Sequence, residues 1–187
     1  MMLKKVINSL ICFIISIPIL GLNSIVETSN KELIIYIGGY NGDKGVTIEY
    51  SSDGKSINCI ISNGLNIDSV CYNLRDTFKE IKRIKYINNI DTSEFVPSSL
   101  LDLGNLKRVQ FRGFKLKRED KFINCESVEQ LNFEWCDIPY LDSNLCEMPN
   151  LIDFSAFYSN LKEFPCKLIF SEKLKKLDYN TMFVTEK

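Results

Sequence analysis

The strongest constraint on the fold is a spacing of apolar residues that is too long for a single helix or strand. Apolar side chains fall at Leu151, Phe154, Ala156 and Leu161, and the opening pattern restarts 23 residues later at Leu174. A helix repeats its apolar face every ~3.6 residues and a strand about every two residues. The longer period indicates a solenoid, in which each turn of chain buries its apolar edge against the next turn.

The same phase extends over most of the chain. Six repeats, at spacings of 24, 25, 22, 23 and 23 residues, start at Ile57, Ile81, Leu106, Val128, Leu151 and Leu174. The first repeat, in which Ile57, Ile60 and Ser62 take the apolar positions, matches the pattern least well.

With these repeats the chain resembles the leucine-rich repeat family over about residues 57–184. The resemblance is carried by the motif L-x-x-L-x-L-x-x-N/C-x-L, with Asn89 and Cys136 at the Asn/Cys position. Three other repeats depart from the motif at that position, where they have Phe114, Ser159 and Met182. Aromatic residues also replace several leucines, which implies a core packed partly by aromatic rings.

The resemblance implies the fold class, an α/β leucine-rich-repeat solenoid. Its parallel β-sheet is curved and forms the concave side, while turns, 3₁₀ segments or short helices form the convex side. Parallel strands need a crossover after each strand, and repeats of this length provide one. Residues 73–81 and 164–173 have apolar spacing that is compatible with short convex helices.

An N-terminal cap is expected before the repeats. Residues 33–37 and 46–50 are rich in β-branched and aromatic side chains and flank a Gly/Asn/Asp-rich connection, which predicts a β-hairpin. Residues 51–54 predict a further turn. The hairpin does not recur, so we expect it to cap the apolar end of the solenoid over residues 32–56, with repeats over residues 57–187.

The first 22 residues have the layout of a signal peptide. Lys4 and Lys5 precede an apolar run over residues 10–22, and a polar linker over residues 23–31 follows it. We expect cleavage near residues 21–24 and a secreted or extracellular protein. The alternative is an uncleaved membrane anchor formed by residues 6–22.

Six cysteines follow Cys12, and an even number in an exported protein permits disulfides without fixing their connectivity. They are Cys59, Cys71, Cys125, Cys136, Cys146 and Cys166. The alternative is that several are small buried apolar side chains, which we favour for Cys136. The chain has no His and no C-x-x-C pair, so we expect no metal site.

Catalytic machinery is not expected. Without His, neither a Ser-His-Asp nor a Cys-His arrangement can form, and the chain lacks the Gly-rich motifs that hold phosphates. Glu134 and Asp153 form a weak alternative as an acid/base pair of a carbohydrate-processing enzyme, but ordinary surface charge is the favoured interpretation. We therefore expect no enzyme, no catalytic residues and no cofactor.

The outward positions of the repeats supply candidate protein-binding residues on the concave face. They are Arg83, Lys85, Arg108, Gln110, Arg112, Asn132, Glu134, Trp135, Ser155, Phe157, Tyr158 and Asp178. Residues 75–121 contain 12 Lys/Arg and 7 Asp/Glu, whereas residues 122–163 contain 1 and 8. Solvated surface of both signs is one interpretation of this gradient. The other is an interaction face with aromatic anchors and charged flanks.

These features predict a secreted module that recognises a protein partner through its concave face, at a host or cell surface. The net charge of −1 gives no reason to expect nucleic-acid binding. The alternative is a structural or surface-coat component that self-associates or stays membrane-anchored. Met182, Phe183 and Val184 follow the sixth strand without a polar closing unit. This predicts that the uncapped end meets a partner, or a second copy of the chain in a homodimer.

Overall fold

The computed structural model describes residues 30–39, 45–62, 64–89, 95–138, 148–161 and 171–181. Several predictions lie outside these residues. They are the signal peptide or anchor, all but the last two positions of the linker, Cys146, Cys166, most of the second convex helix, and the C-terminal end at Met182, Phe183 and Val184.

The described residues form an eight-stranded sheet with one α-helix and one short 3₁₀ helix. The strands are β1 (Glu32–Gly39), β2 (Val46–Tyr50), β3 (Ser56–Ser62), β4 (Arg83–Asn88), β5 (Arg108–Arg112), β6 (Gln130–Glu134), β7 (Asp153–Ser159) and β8 (Lys176–Thr181). The α-helix, α1, covers Ile67–Thr77, and the 3₁₀ helix covers Ser98–Leu100. The order of strands across the sheet is β2-β3-β1-β4-β5-β6-β7-β8.

Strands β4 to β8 form a β-solenoid of about five turns. Each strand is parallel to the next, and the fourth residue of every repeat lies in one row across the sheet. That row consists of Ile84, Val109, Leu131, Phe154 and Leu177. The predicted phase of the second to sixth repeats is therefore confirmed.

The predicted register of the first repeat is wrong. Ile57 pairs with Leu33, which in turn pairs with Ile84, so Ile57 takes the fourth position of a repeat and not the first. The buried residues of β3 are Ile57, Cys59 and Ile61. Because side chains alternate between the two faces of a strand, this inward set leaves Ile60 on the opposite face.

The predicted hairpin between residues 33–37 and 46–50 is also wrong, although both strands exist. Strand β1 lies between β3 and β4 and is parallel to both, whereas β2 pairs with β3 at the edge of the sheet. The reason lies in the side chains. Strand β1 is almost continuously apolar, as in strands buried in parallel sheets, while β2 exposes Thr47 and Glu49 as edge strands commonly do.

The turn predicted at residues 51–54 closes the hairpin that does form, between β2 and β3. Ser51 N donates to Ser56 O at 3.0 Å, and Ser51 Oγ donates to Asp53 Oδ1 at 2.7 Å. Gly54 takes the left-handed conformation that this tight connection requires, with φ of 68°. The sequence signal for a hairpin was therefore present, one turn further along the chain.

Helix α1 connects β3 to β4 on the core side of the sheet. Asn66 caps its N-terminus by accepting a hydrogen bond from Ser69 N at 2.9 Å, and Cys71 and Leu74 face the core. A helix before Ile81 is thus confirmed, although it begins earlier than predicted. Within the ranges described above, no helix has the length and apolar character needed to cross a membrane.

Aromatic rings stack along the core from turn to turn, as the departures from leucine implied. Tyr86 stacks on Phe111 and Phe111 on Phe133, at centroid distances of 5.4 and 5.6 Å, and Phe154 continues the row at 6.2 Å from Phe133. The Asn/Cys position is not uniform. Cys136 is buried there, whereas Asn89 is exposed.

Candidate functional site

One face of the sheet packs on the core, and the opposite face, which we call the open face, carries the side chains that alternate with the buried ones. The residues at the fourth and sixth positions of β4 to β7 are buried, so the third, fifth and seventh positions point to the open face. All twelve predicted binding residues lie on β4 to β8 or directly after β6, as the sequence indicated.

The strand register sorts the open face into rows. The first row places Arg83 opposite Arg108. The second row runs from Lys85 through Gln110, Asn132 and Ser155 to Asp178. The third row runs from Arg112 through Glu134 to Phe157. The structure therefore brings ten of the predicted residues together, and the remaining two, Trp135 and Tyr158, are at the strand ends beside the third row.

Four cations lie on the two neighbouring strands β4 and β5, and we call Arg83, Lys85, Arg108 and Arg112 the basic group. Like charges directly opposite each other on neighbouring strands are unfavourable, which applies to Arg83 and Arg108. Arg83 donates to the backbone oxygen of Asn30. Within the described part of the chain, no member of the basic group forms an ion pair with a carboxylate.

By register, Arg83 lies opposite Glu32 on β1, and Arg112 lies opposite Glu134 on β6. Glu134 Oε2 instead accepts a hydrogen bond from Gln110 Nε2 at 3.0 Å. The next polar pair is similar, since Ser155 Oγ donates to Asn132 Oδ1 at 2.8 Å. Ser155 is only 4% exposed, so this bond and not an external contact engages its hydroxyl. Gln110, Asn132 and Ser155 thus form a row of polar side chains beside the cations.

Trp135 and Tyr158 form a stacked pair that is exposed to solvent, and we call them the aromatic stack. Their ring centroids are 4.7 Å apart and their planes differ by 15°. Trp135 is 43% exposed and Tyr158 is 46% exposed. The separation equals the spacing of neighbouring strands, about 4.8 Å, so the stack runs across the sheet.

Both stacked residues have a left-handed backbone, with φ of 56° for Trp135 and 51° for Tyr158. This conformation is a genuine outlier for a bulky side chain. Gly113, at the same position one turn earlier, has φ of 75°. The eighth position of the repeat therefore has the same backbone conformation in three successive turns, but only Gly113 adopts it without strain.

The open face becomes acidic beyond the aromatic stack. Glu134, Asp153 and Asp178 lie on β6, β7 and β8, and Asp153 is 3.9 Å from Lys176 Nζ. Asp153 Oδ1 is buried and has no hydrogen bond to the described residues. The basic group and these carboxylates lie on separate strands, so the predicted gradient of charge is visible on the face itself.

A pocket on the other side of the sheet was not predicted. It has a volume of about 270 Å³ and lies between α1 and the segment after the 3₁₀ helix. Arg75 crosses it, with Nη1 donating to Ser99 O at 3.1 Å and Nη2 at 3.9 Å from Asp102 Oδ1. Ser99 Oγ is buried there without a hydrogen bond to any residue that the structure describes. The helix-forming spacing before Ile81 was the only sequence signal for it.

Four cysteines are buried among the described residues, Cys59, Cys71, Cys125 and Cys136, and the thiols of Cys59, Cys71 and Cys136 lie outside any disulfide. Burial raises the pKa of Cys59 and of Cys71 to about 12, and that of Cys136 to about 11, from 9.0. A thiol with so high a pKa is a poor nucleophile at neutral pH. These three side chains therefore behave as apolar core residues, the alternative that we favoured for Cys136.

Among the described residues no group of His, Cys, Asp and Glu is arranged to hold a metal ion. Glu134 and Asp153, the weak acid/base candidates, lie on neighbouring strands β6 and β7. No family model matches the chain, and no similar protein was found among curated proteins or solved structures.

Proposed function

We propose that this chain is a non-catalytic repeat protein that recognises a protein partner through the open face. The observation that carries the proposal is the aromatic stack. A residue in a sparsely populated backbone region costs about 1–3 kcal/mol and persists where it serves a function. Folding alone is better served by Gly at these positions, as at Gly113. Exposed Trp and Tyr beside Arg are the side chains most enriched where proteins bind.

Membership of the leucine-rich repeat family is part of the proposal. Its support is the row of fourth-position residues across β4 to β8, which follows the L-x-x-L-x-L phase of the sequence. In that fold the strand face is the side that is free of crossover segments. This agrees with the position of α1 on the opposite side of the sheet.

Secretion is a further part of the proposal, and it rests on the sequence of residues 1–22. We expect the mature protein to begin near residues 21–24 and to be found in the medium. N-terminal sequencing of the protein from medium and from membranes tests this. A protein that keeps residues 6–22 and stays in the membrane fraction supports the anchored alternative instead.

A capture experiment with matched variants tests the binding function. Wild-type protein, a variant with Trp135, Phe157 and Tyr158 all changed to Ala, and Tyr72→Ala serve as baits for proteins from the same extract. Tyr72 is 69% exposed on α1, on the opposite side of the sheet. We expect a partner that binds wild type and Tyr72→Ala equally and is lost from the triple variant.

The folding of each bait is checked by circular dichroism before capture. A partner retained by a folded triple variant contradicts binding through the open face. Self-association is a separate outcome, and sedimentation of the isolated protein over a range of concentrations detects it. A concentration-dependent increase in mass without any captured partner favours the surface-coat alternative and the homodimer.

A further inference from the structure

The chemistry of the open face identifies the kind of segment that it fits, an inference that rests on the binding function proposed above. We propose that the open face binds an extended acidic segment of the partner protein that carries an aromatic side chain. Its carboxylates contact the basic group, and its ring stacks on the free face of Trp135 above Gly113.

Among the described residues, no carboxylate forms an ion pair with the four cations of the basic group. Arg83 and Arg108 lie directly opposite each other, and Lys85 and Arg112 are on the same two strands. None of the four has an ion pair among the residues that the structure describes, even though Glu32 lies opposite Arg83 and Glu134 lies opposite Arg112. A partner that supplies carboxylates relieves this repulsion on binding, so the group favours an anionic ligand.

The spacing of the cations matches an extended peptide. Outward residues of one strand recur at alternate positions, about 6.6 Å per two residues, so Arg108 and Arg112 lie about 13 Å apart with Gln110 between them. Side chains on one face of an extended segment recur at the same interval. A segment that lies along β5 with acidic residues at alternate positions therefore brings its first and third carboxylates to Arg108 and Arg112. Its second carboxylate lies at Gln110, whose neighbour on β4 is Lys85, and Arg83 lies opposite Arg108.

The position of Gly113 leaves one face of the aromatic stack uncovered. Tyr158 covers Trp135 from the β7 side, at 4.7 Å. On the β5 side the equivalent residue is Gly113, which has no side chain to cover the indole. Arg112 immediately precedes this glycine, so a planar side chain that follows the acidic residues reaches the uncovered ring. Offset stacking of aromatic rings favours this contact.

The acidic half of the face selects against long polyanions. Glu134, Asp153 and Asp178 begin one strand beyond the basic group. A nucleic acid that follows the whole face meets these carboxylates with its phosphates, which is unfavourable. A short acidic segment confined to β4 and β5 avoids them, and for this reason we favour a protein segment.

Trp135 is the single tryptophan of the chain, so its fluorescence reports binding at this position. The probes are two end-blocked peptides with Glu at alternate positions and Phe at one end, in the two opposite sequence orders. Controls are the same peptides with Lys for Glu, or with Ala for Phe, and an oligothymidylate. We expect one of the Glu–Phe peptides to change the emission of Trp135, with an affinity that falls as salt is added.

Two variants test the basic group. Arg108→Glu is expected to weaken the binding of the Glu–Phe peptide at least about tenfold, because it places a carboxylate against the peptide's own. Lys121→Glu makes the same change of charge at an exposed position outside the strands and is expected to leave the affinity unchanged. Replacing Phe with Ala in the peptide is expected to weaken binding about two- to tenfold.

The inference is overturned if neither Glu–Phe peptide binds, if the Lys peptide binds equally well, or if the oligothymidylate binds more tightly. Its failure is distinguishable from failure of the proposed function. A captured partner that is lost with the triple Ala variant but retained by Arg108→Glu supports binding through the open face. It contradicts only the proposal that the bound segment is acidic. A partner retained by both variants contradicts the binding function itself.

Discussion

At Trp135 and Tyr158 the side-chain contact and the backbone preference oppose each other. Both side chains gain a stacking contact, and both have a left-handed backbone that disfavours any residue with a Cβ atom. The sequence places both residues on the outward side, from their repeat positions. It gives no signal for the left-handed conformation apart from Gly113 at the same position one turn earlier.

Replacing Trp135 with Gly is expected to leave stability almost unchanged. The change removes a stacking contact of about 0.5–1.5 kcal/mol but relieves about 1–2 kcal/mol of backbone strain. Trp135→Ala loses the contact and keeps the strain, so we expect it to be less stable than Trp135→Gly by about 1 kcal/mol. Urea unfolding followed by circular dichroism measures the difference.

Tyr72→Gly is the matched control, because Tyr72 is an exposed aromatic residue inside α1. Gly in a helix interior costs about 1 kcal/mol, so this variant should be clearly less stable than wild type. A Trp135→Gly variant that loses as much stability as Tyr72→Gly argues against backbone strain at Trp135.

The buried thiols predict a loss of stability at alkaline pH. Below a pH of about 9 the thiols are protonated in both folded and unfolded chains, so they contribute no pH dependence. As the pH rises further, the unfolded chain releases these protons while the folded chain retains them, because the folded pKa of Cys136 is about 11 and that of Cys59 about 12. The free energy of unfolding therefore falls over this window.

Urea midpoints measured across the same window test this behaviour. Cys71→Ala removes one titrating thiol and should reduce the slope, although it also lowers the stability at neutral pH by leaving a small cavity. An unchanged slope in Cys71→Ala contradicts the assignment of the pH dependence to that thiol.

At the scale of elements, β4 and β5 are joined at their ends by contacts that leave no space for a side chain on Gly113. Asn88 Nδ2 donates to Gly113 O at 2.9 Å at the end of β4. A Cβ atom added to Gly113 lies 2.9 Å from Asn88 O, which is closer than van der Waals contact. The glycine therefore fixes the approach of β5 to β4 as well as its own conformation.

Gly113→Ala is consequently expected to destabilise the protein more than Gly54→Ala. Both residues have a positive φ, so both variants incur a backbone cost of about 1–2 kcal/mol. Only Gly113 adds a steric clash, worth about 1–3 kcal/mol more, because the added atom at Gly54 meets nothing within 4 Å. Equal losses in the two variants, measured by urea unfolding, contradict a close approach at Gly113.

The sequence alone predicts the pairing of those strands whose neighbour in the sheet belongs to the next repeat. Ile84, Val109 and Leu131 align because each strand pairs with the strand one period away, so the spacing alone determines the register. The sequence did not predict the pairing of β1 and β2, because residues 38–45 between them are of the types found in hairpin turns. Strand β1 pairs with β3 along one edge and with β4 along the other, and this is a property of the assembled sheet.

For the whole molecule, the central position of β1 makes it the strand that joins the N-terminal region to the solenoid. Ile35 is fully buried in this strand, between Cys59 on β3 and Tyr86 on β4. Ile48 lies on the edge strand β2 and is only half-buried. The same residue type thus occurs at the centre and at the edge of one sheet.

Ile35→Ala is expected to cost about 2–5 kcal/mol, and Ile48→Ala about 1 kcal/mol, because only the first change leaves an enclosed cavity. Thermal unfolding of the two variants gives the comparison. An equal or larger loss for Ile48→Ala contradicts the position of β1 inside the sheet, since a hairpin cap places both strands in equivalent positions.

The position of β1 also determines the order in which this chain can fold. A simple repeat array gains one turn at a time, because each new strand pairs with the one made just before it. Here β1 is synthesised first, but both of its neighbours, β3 and β4, come later, after β2 and α1 respectively. Such distant pairing is slow to form, because the intervening chain must close as a loop. We therefore infer that β1 to β4 form as one cooperative nucleus, on which the remaining turns assemble in sequence.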